Sequence, residues 1–452
     1  MESSAGIVIV GGGCSGALVA AQLLRKGYQR NIAVVEPRND LGRGLAYSTE
    51  IDEHLLNVPA GKMSAFLDQP SHFLDWLRRR HWPDATAATF APRRMFGEYL
   101  TELLQVEISR ASSSVGFQRI CGEVTAIVPR SHLLDVVLSD GRSLQADKVV
   151  LAIGNPASSP WVDIGTTGPE ELIQPSPWFG DALWLNFPSE RVLLLGSGLT
   201  AVDSVLTLLS QGEHSQVFMV SRRGLLPQTH SACLPAPAVA PLAATSDVRS
   251  ILAELRERIE GMKEMGYCWR VAVDALRPVS NQIWSHLPLT DKRRFVRHLK
   301  PYWEPHRHRM APAIAAKLQR YCEDGRLSVI AGRVRRLQRI TDSIEADICN
   351  GRSKDLHLKI GRVINCTGIH EDYNDSPRPL IRHLINNSLA TANDLGTGFA
   401  TDSNGALVNP QGSVSRQLFT LGPPRRGDLF ETTAVPEIRS QAESLARYLN
   451  ET

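Results

Sequence analysis

Residues 7–16 read IVIVGGGCSG, four β-branched residues that run into a Gly-x-Gly-x-x-Gly turn. The apolar positions that follow have a helical period. Gly11 permits the tight turn, Gly13 leaves room for a pyrophosphate, and Gly16 lets the helix approach the strand closely. The phosphates would then meet the positive end of the helix dipole. This stretch predicts a dinucleotide-binding strand, turn and helix, with a purely structural glycine turn as the alternative.

A second strand-like run at residues 32–35 ends in Glu36, twenty residues after Gly16. A carboxylate at this place can accept hydrogen bonds from the ribose of an adenosine cofactor. A glycine motif alone is weak evidence, whereas strand, turn, helix and acid together form a βαβ nucleotide unit. We therefore predict that Glu36, and Ser15 within the turn, contact the cofactor.

Length and charge narrow the class of protein. A chain of 452 residues is too long for one compact domain, so two or three domains are expected. The 50 Lys and Arg residues nearly balance the 47 Asp and Glu residues. Because the overall charge gives no drive towards polyanions, we expect neither nucleic acid nor a membrane as a partner.

Seven cysteines are scattered along the chain without a Cys-x-x-Cys pair. This pattern suggests a reducing compartment and argues against a redox dithiol or a zinc site, so no metal is predicted. The apolar run at residues 5–24 resembles a signal peptide, yet it lacks a basic leading region and contains three consecutive glycines. The expected location is therefore cytoplasmic.

A glycine-rich loop follows the second strand and reads LGRGLAYS over residues 41–48. Residues 54–66 then read HLLNVPAGKMSAF, an irregular segment that combines amide and backbone donors with apolar side chains. Such a mixture suits the edge of a flavin ring, and a plain surface loop is the equal alternative.

These two segments resemble the bacterial FAD-NAD(P)-binding flavoprotein family that contains a urate hydroxylase and an aspartate N-oxygenase. More distantly, the chain is similar to the class B flavin-containing and N-hydroxylating monooxygenases. The resemblance covers most of the chain and implies FAD as a cofactor. In the N-hydroxylating enzymes an asparagine of the matching stretch lies beside the reacting flavin and the nicotinamide. The resemblance therefore gives this catalytic role to Asn57, and we expect Met63 of the same segment to contact the cofactor.

A second glycine turn marks a second nucleotide domain. Residues 192–203 read VLLLGSGLTAVD, again a strand, a Gly-x-Gly-x-x-Ala turn and a helical pattern. The expected cofactor contacts of this turn are Gly196, Gly198 and Thr200.

The partner strand of this second unit, residues 217–220, ends in Ser221, Arg222 and Arg223 instead of an acid. An acid there would repel a 2′-phosphate, whereas two guanidinium groups and a hydroxyl can bind one. The sequence therefore favours NADPH over NADH, with an exposed basic turn as the alternative.

Helical sequence that a minimal nucleotide domain does not need follows, at about residues 246–325. Four helices are expected there, at about residues 251–266, 274–287, 291–301 and 311–324. We interpret them as an insertion that covers the substrate side.

Residues 292–309 in this insertion hold seven Lys or Arg together with His298, His306 and His308. Three interpretations are open: a solvated basic face, a wall that attracts an anionic substrate or cofactor phosphates, and a metal site at His306 and His308. The metal is disfavoured because no carboxylate or cysteine lies at ligand spacing.

The resemblance implies that the chain then returns to the first domain. Two strands are expected at residues 362–368 and 418–423, each with a glycine at or near its end. Pro436 opens a C-terminal helix, because a proline in the first turn loses no hydrogen bond. The positive end of this helix can face the carbonyl edge of a flavin, with Thr433 beside it. An ordinary terminal helix is the alternative.

The predicted fold is α/β, with two Rossmann-like dinucleotide-binding domains (FAD and NADPH) of the glutathione-reductase type and an α-helical insertion. The predicted bounds are 1–160 and 361–452 for the two parts of the FAD domain and 188–360 for the NADPH domain. Asn57 is the predicted catalytic residue, and the predicted cofactor contacts are Gly11, Gly13, Ser15, Gly16, Glu36, Met63, Gly154, Gly196, Gly198, Thr200, Arg222, Arg223, Gly368, Gly422 and Thr433.

Two nucleotide sites without a redox dithiol narrow the chemistry. NADPH would reduce FAD, and the electrons must then pass to oxygen or to another acceptor. The resemblance favours oxygen: a flavin C4a-hydroperoxide that hydroxylates a small anionic or nitrogen-containing molecule, by urate-type hydroxylation first and amino-acid N-hydroxylation second. The partners are then this small molecule and dioxygen. The alternative is an NADPH-dependent flavin reductase, electron-transfer or redox-sensing flavoprotein that acts on a protein partner.

Overall fold

The computed structural model describes residues 5–111, 115–155, 172–177, 191–210, 216–231, 247–349, 355–369 and 372–452. The predicted bounds at residues 1, 160, 188 and 246 lie outside these ranges.

The described strands follow the predicted segments of β-branched and other apolar residues. In chain order they are β1 (Ala5–Val10), β2 (Ile32–Glu36), β3 (Phe117–Cys121), β4 (Val124–Pro129), β5 (Leu134–Leu138), β6 (Ser143–Leu151), β7 (Ile173–Gln174), β8 (Arg191–Leu195), β9 (Gln216–Ser221), β10 (Leu327–Ala331), β11 (Arg333–Ile340), β12 (Ser343–Cys349), β13 (Leu356–Ile360), β14 (Arg362–Asn365), β15 (Ala406–Val408) and β16 (Val414–Thr420).

The described α-helices alternate with these strands and also form a cluster of their own. They are α1 (Cys14–Arg25), α2 (His72–Arg80), α3 (Arg93–Arg110), α4 (Leu199–Ser210), α5 (Val248–Glu264), α6 (Trp269–Ala275), α7 (Ser280–His286), α8 (Leu289–Arg294), α9 (Lys300–Arg307), α10 (Pro312–Glu323), α11 (Pro379–Asn386) and α12 (Val435–Glu451). Within the described ranges, no helix is long and apolar enough to cross a membrane.

The first sheet has β1 near its centre. Its order is β15-β16-β6-β1-β2-β3, and β4 and β5 extend it from β6 as an antiparallel meander. β1 pairs in parallel with both neighbours, so that Val8 lies opposite Ala33 of β2 and Val149 of β6. Every residue of β1 is buried, because helices and further structure cover both faces of the sheet. The glycine turn after β1 therefore opens at the carboxyl edge of a parallel sheet.

The second sheet is parallel throughout, in the order β10-β9-β8-β14-β7. One face packs against α4 and α10, with Val205 and Ile314 in a shared core. The other face packs against a separate antiparallel sheet of β11, β12 and β13, where Ile344 and Ile348 meet Leu193. Two Rossmann-like layers with separate cores result, as predicted.

β14 belongs to the second sheet and not to the returning first domain. It pairs with β8, with Val363 opposite Leu193. The sequence predicts a domain boundary at 361, before this strand, and the pairing shows the strand on the other side. An apolar strand that ends near a glycine carries no sign of its pairing partner. The chain rejoins the first sheet only at β15 and β16. We therefore propose that the second domain extends through Asn365.

The insertion consists of α5 to α10, and two of its predicted helices have different bounds. The segment predicted as one helix over 274–287 is divided, because Pro278 lies in a 3₁₀ turn, Arg277–Val279, between α6 and α7. The helix predicted to stop near 301 continues instead through a π-helical turn, Phe295–Leu299, into α9. Pro301 is tolerated there because it lies in the first turn of α9.

Candidate active site

The first glycine turn fits closely between β1, α1 and β6. Gly11 has φ +101°, and a Cβ on it would lie 2.4 Å from the carbonyl oxygen of Ala152. A Cβ on Gly16 would lie 1.9 Å from the carbonyl oxygen of Gly11. Side chains at these two positions would therefore push the turn out of its shape, and glycine is required at both.

Glu36 holds this turn from the end of β2. One carboxylate oxygen accepts the Gly12 N–H at 2.7 Å, and the other accepts the Arg38 N–H at 3.1 Å. The side chain is buried beside the turn. A carboxylate has about four acceptor positions, so Glu36 retains capacity for the hydroxyls of a ribose.

The loop after β16 closes on the same turn. Gly422 has φ +72°, and a Cβ on it would lie 3.0 Å from Oγ of Ser15. The Gly422 N–H donates to Gln441 of α12 at 3.0 Å, and the hydroxyl of the buried Thr432 donates to the Gly422 carbonyl at 2.7 Å. The fold thus brings Gly422 to the start of α1, although 407 positions separate it from Ser15 (422 − 15).

The start of α1 has the properties of an anion site. Its N-cap, Gly13, supplies no side-chain hydrogen bond, and the first turn contains no acidic residue. The N–H groups of that turn therefore have no side-chain cap, and no carboxylate opposes the helix dipole. With the glycine turn and Glu36, these residues fit a dinucleotide pyrophosphate and ribose.

The second glycine turn repeats this arrangement at the edge of the second sheet. Gly196 has φ +112°, and a Cβ on it would lie 2.4 Å from the carbonyl oxygen of Cys366. The space around Gly198 is open, with no atom within 4 Å of the position of a Cβ. Ser197 Oγ lies 2.8 Å from Ser221 Oγ, which ties the turn to the end of β9.

A cavity of about 340 Å³ lies between this turn and α9. Gly198, Arg222 and Arg223 line one side, and Glu304 and His308 line the other. Within the described part of the chain, neither guanidinium forms an ion pair. Two cations without carboxylate partners beside an open helix start fit a phosphate-bearing nucleotide.

Two side chains of α9 and its end shape this cavity. Arg223 stacks its guanidinium over the Tyr302 ring, 4.6 Å from the ring centroid. Burial lowers the pKa of His308 to about 3, so this imidazole is neutral at physiological pH. Positive charge in the cavity therefore comes from the two arginines and not from the histidine.

Asn57 lies where the first domain meets the second. Its backbone carbonyl oxygen is 3.0 Å from Nε2 of His230, whose ring packs against Phe90 with 5.1 Å between centroids. The half-buried Asn57 amide side chain makes no hydrogen bond to any part of the chain that the structure describes. An amide with one donor group and one acceptor group unused is suited to binding a ligand.

A buried polar cluster fixes the segment before Asn57 to α4. His54 Nε2 lies 2.9 Å from the Thr207 hydroxyl, and its Nδ1 lies 2.8 Å from the Thr49 hydroxyl. Arg93 pairs with Asp203 of α4 at 2.7 Å, and both side chains are largely buried. The position of the Asn57 segment therefore depends on the second domain as well as the first.

The insertion is fastened to the segment between β16 and α12. Arg307 forms two hydrogen bonds to Glu431, at 2.7 and 3.0 Å, with side-chain exposures of 9% and 6%. Arg277 pairs with Glu437, at 2.6 and 2.8 Å. The Asn281 side chain bonds to both the N–H and the carbonyl of Glu431. The insertion is therefore held against the start of α12.

The other predicted contact residues are distributed over the fold, and two of them, Gly368 and Thr200, lie at the second turn. Met63 is 2% exposed and packs in the first core, which gives its side chain a packing role. Gly154 has φ +66° after β6, and Gly368 has φ +108° at the end of β14, beside the second turn and not the first. Thr200 lies in the first turn of α4, and Thr433 lies just before α12.

The basic stretch 292–309 is neither one solvated face nor one wall. Arg307 is committed to Glu431, and the buried Arg309 pairs with Asp274 at 2.7 Å. His306 Nδ1 lies 2.7 Å from the Tyr302 carbonyl oxygen, whereas His308 lines the nucleotide cavity. Among the described residues, no group of three or more His, Cys, Asp or Glu is placed to hold a metal ion.

Sequence reasoning missed the residues that join the domains, namely His54, His230, Asp203 and the Arg307–Glu431 pair. A lone histidine or ion pair has no local signature when its partner lies more than a hundred positions away in the sequence. The contact between His54 Nε2 and the Asp203 carbonyl oxygen, for example, joins residues 149 positions apart.

The cysteines are not all unpaired, because Cys268 at the start of α6 is disulfide-bonded. Scattered spacing could not predict this bond, which depends on proximity in the fold. Burial raises the pKa of both Cys14 and Cys366 to about 12. Neither thiol is therefore ionised at neutral pH, which excludes both as thiolate nucleophiles.

Comparison with known families supports the first of the two units. A family model described as FAD-NAD(P)-binding matches residues 8–156, from β1 through β6. This match confirms the resemblance over the segment that contains Gly11 and Glu36. No curated protein sequence matches the chain.

Solved structures match the whole chain. L-lysine 6-monooxygenase from Pseudomonas syringae is 16% identical over 99% of each chain, with a TM-score of 0.67. The cadaverine monooxygenase of desferrioxamine biosynthesis from Erwinia amylovora is 10% identical over 100% of this chain and 95% of its own, with a TM-score of 0.68. Bacillithiol disulfide reductase from Staphylococcus aureus is 12% identical over 99% of this chain and 98% of its own, with a TM-score of 0.58. These likenesses confirm the predicted two-domain α/β fold.

Proposed function

We propose that the chain is an FAD- and NADPH-dependent monooxygenase that hydroxylates a nitrogen atom of a small amine. The observation that carries this proposal is the pair of glycine turns, each between a parallel strand and a helix start, with the Asn57 amide, which no described residue hydrogen-bonds, on the segment that joins the two units. A chain with two nucleotide sites of this kind can pass electrons from one cofactor to the other.

FAD would be held by the first turn. The N–H groups at the start of α1 would bind the pyrophosphate, and Glu36 would bind the ribose. Gly422 and the start of α12 would border the flavin end. The chemistry that a bound flavin would supply here is acceptance of hydride from NADPH and activation of dioxygen. The roles of the residues are to bind, to orient and to exclude water.

NADPH would be held by the second turn, with Arg222 and Arg223 on the 2′-phosphate. Charge-assisted hydrogen bonds to a phosphate are about twice as strong as neutral ones, so the pair supports a preference for NADPH over NADH. Neutral His308 adds a donor or acceptor to the cavity without adding charge.

Asn57 would orient the nicotinamide or the oxygen-bearing side of the flavin. His230 fixes the backbone of Asn57, which leaves the side-chain amide free to turn towards a ligand. The imidazole of His230 uses its Nε2 in this bond to the Asn57 backbone, so the proposal assigns positioning, and not proton transfer, to the residues around Asn57.

An amine nitrogen is a better candidate target than urate. Two of the structural neighbours act on lysine and cadaverine, both of which carry a primary amine, by their names. The basic stretch that motivated an anionic substrate is partly used in ion pairs at Arg307 and Arg309. N-hydroxylation therefore replaces urate hydroxylation as our first candidate.

A second candidate is an NADPH-dependent reductase without a hydroxylated product. The likeness to bacillithiol disulfide reductase favours it. In that case the electrons would pass from the flavin to a disulfide or a protein partner instead of to oxygen.

The Asn57→Ala variant tests the proposal. In FAD-loaded protein supplied with NADPH and an amine, we expect at least a tenfold loss of hydroxylamine per NADPH oxidised, with an unchanged FAD content. Asn387→Ala, at an exposed asparagine after α11, is the matched control and should behave as the parent. Equal product yields from the Asn57→Ala variant and the parent would contradict the role of Asn57.

A further inference from the structure

A second and larger cavity, of about 660 Å³, lies inside the helical insertion. Its walls come from α5, α6, α7, the π-helical turn and α9, and from Phe430 of the first domain. This cavity and the nucleotide cavity have no lining residue in common. Different residues of α9 line each of them. Small-molecule sites have volumes of roughly 300–1,000 Å³, so this cavity has the size of a ligand site.

The apolar face of α5 lines the cavity, although its first turn also packs against a small core of Val248, Trp284 and Leu287. Ile251, Leu255 and Ile259 recur at helical spacing on this face, yet each remains only half-buried. Val248 and Met262 are the residues of α5 that are fully buried. A helix with an apolar stripe normally buries it against a partner. Within the part of the chain that the structure describes, this stripe faces a cavity of ligand size.

The opposite wall is aromatic. Trp284 and Phe430 stack with 5.0 Å between ring centroids, and Phe295 meets Phe430 edge to face at 5.2 Å. Trp303 lies 5.9 Å from Phe430. Lys292 places its ammonium 5.7 Å from the centroid of the Trp284 ring. Such rings favour hydrocarbon and aromatic groups, and their faces attract cations.

The cavity ends beside the segment that the proposed function places at the flavin. The Trp284 indole N–H donates to the Gly427 carbonyl at 2.7 Å, and Asn281 holds both backbone groups of Glu431. Phe430 therefore belongs to the cavity wall and also lies three residues before Thr433. The two charged residues of the lining, Glu260 and Lys263, pair with each other at 3.5 Å and are exposed.

We infer that this cavity binds the apolar body of the substrate, so that the substrate is an amine with a long alkyl or aromatic group and not a compact polar amino acid. This inference rests on the proposed function, because only an enzyme that hydroxylates amines would have such a molecule as its substrate. The binding of an apolar amine in this cavity is a separate claim that equilibrium measurements can test without turnover.

The test uses butylamine, hexylamine and octylamine as probes of the FAD-loaded full chain. Three of the eight tryptophans of the chain line the cavity, so intrinsic fluorescence reports on occupancy. We expect affinity to rise about three- to fourfold for each added methylene. Calorimetry should give a heat-capacity change that becomes more negative along the series, because apolar surface is buried.

Leu255→Asn places an uncharged polar amide in the apolar wall at a half-buried position. We expect it to lower octylamine affinity by about tenfold or more, because the alkyl chain would then meet a polar group, and an amide has no charge to attract the ammonium. Ile340→Asn, at a 40% exposed isoleucine on β11, is the matched control and should leave affinity unchanged. Leu255→Ala is the milder variant, which should lower octylamine affinity by less and provides the test if the asparagine variant fails to fold.

Affinity that is independent of chain length, or unchanged by both Leu255 variants, would overturn the inference. Chain-length-dependent binding that the Leu255 variants weaken would support it, even in a protein that forms no hydroxylamine. In that last case the cavity assignment would stand and the proposed monooxygenase function would fail.

Discussion

The Nε2 atom of His230 lies 3.0 Å from the backbone carbonyl oxygen of Asn57, which joins the second nucleotide domain to the candidate catalytic residue of the first. Burial lowers the pKa of His230, so the ring is neutral at pH 7 and its Nε2–H can donate this bond. The orientation of Asn57 therefore depends on a residue that lies beyond the second glycine turn.

The His230→Ala variant should reduce the coupling of NADPH oxidation to product. A net hydrogen bond contributes about 1 kcal/mol, so we expect roughly a fivefold loss of hydroxylamine per NADPH, with the balance appearing as hydrogen peroxide. His230→Gln, which can still donate, should restore part of the coupling. A parallel fall of both products, without a change in their ratio, would assign His230 a merely structural role.

The Arg222→Ala and Arg223→Ala variants should each raise the KM for NADPH by about ten- to a hundredfold, because a hydrogen bond to a charged group contributes about 1.5–3 kcal/mol. The KM for NADH should change little, since NADH has no 2′-phosphate. Arg320→Ala, at an exposed arginine of α10, is the control. Steady-state kinetics with both cofactors provides the measurement, and equal effects on both would contradict the assignment.

The Arg307–Glu431 pair should be essential for fastening the insertion. Burial raises the pKa of Glu431 while the adjacent Arg307 opposes that rise. Arg307→Ala leaves a buried carboxylate without its partner and should cost about 3–5 kcal/mol in urea unfolding. The double variant Arg307→Met with Glu431→Gln should recover most of this loss.

An exposed pair provides the comparison for that experiment. Arg130 and Asp135 lie 2.6 Å apart, with Arg130 64% exposed. Arg130→Ala should cost no more than about 1 kcal/mol, since water screens the pair. Similar decreases in the free energy of unfolding for Arg307→Ala and Arg130→Ala would show that burial does not make the Arg307–Glu431 pair more important for stability than an exposed pair.

Stability should fall as the pH drops below about 6.5, the ordinary pKa of histidine. Burial lowers the pKa of His54 and of His230, and that of His308 to about 3. The unfolded chain then binds more protons than the folded chain between pH 6.5 and these lowered values, so the free energy of unfolding decreases with acidification. Above pH 6.5 the contribution of these groups is fully present.

The thermal midpoint of unfolding measures this effect. His308, with its pKa of about 3, contributes about 1.4 kcal/mol between pH 7.5 and 5.5, which corresponds to a few degrees for a domain of this size. His308→Gln should lose less stability than the parent over that interval. An identical drop in both proteins would contradict a neutral His308.

The two glycine turns could be predicted because each lies within one short contiguous segment, in which strand, turn and helix follow one another. The sheet that contains β14 could not, because any buried strand has the same pattern and only pairing with β8 decides its place. The contact of His230 with Asn57 spans 173 positions and leaves no local trace.

The sequence pattern of α5 predicts a packed helix face and not the wall of a cavity. Ile251, Leu255 and Ile259 have the spacing of a packed helix face, and no feature of the sequence indicates that they are half-exposed. Periodicity tells which face of a helix is apolar, whereas the arrangement of the neighbouring helices decides whether protein or ligand covers it.

The most direct measurement of the central claim follows the oxygen atom. FAD-loaded protein would be supplied with NADPH, an alkylamine and ¹⁸O₂, and the product analysed by mass spectrometry. We predict a hydroxylamine that carries one ¹⁸O atom, formed in proportion to NADPH oxidised and diminished in Asn57→Ala. NADPH oxidation that yields only hydrogen peroxide, or that proceeds only with a disulfide acceptor, would contradict the monooxygenase assignment and favour the reductase.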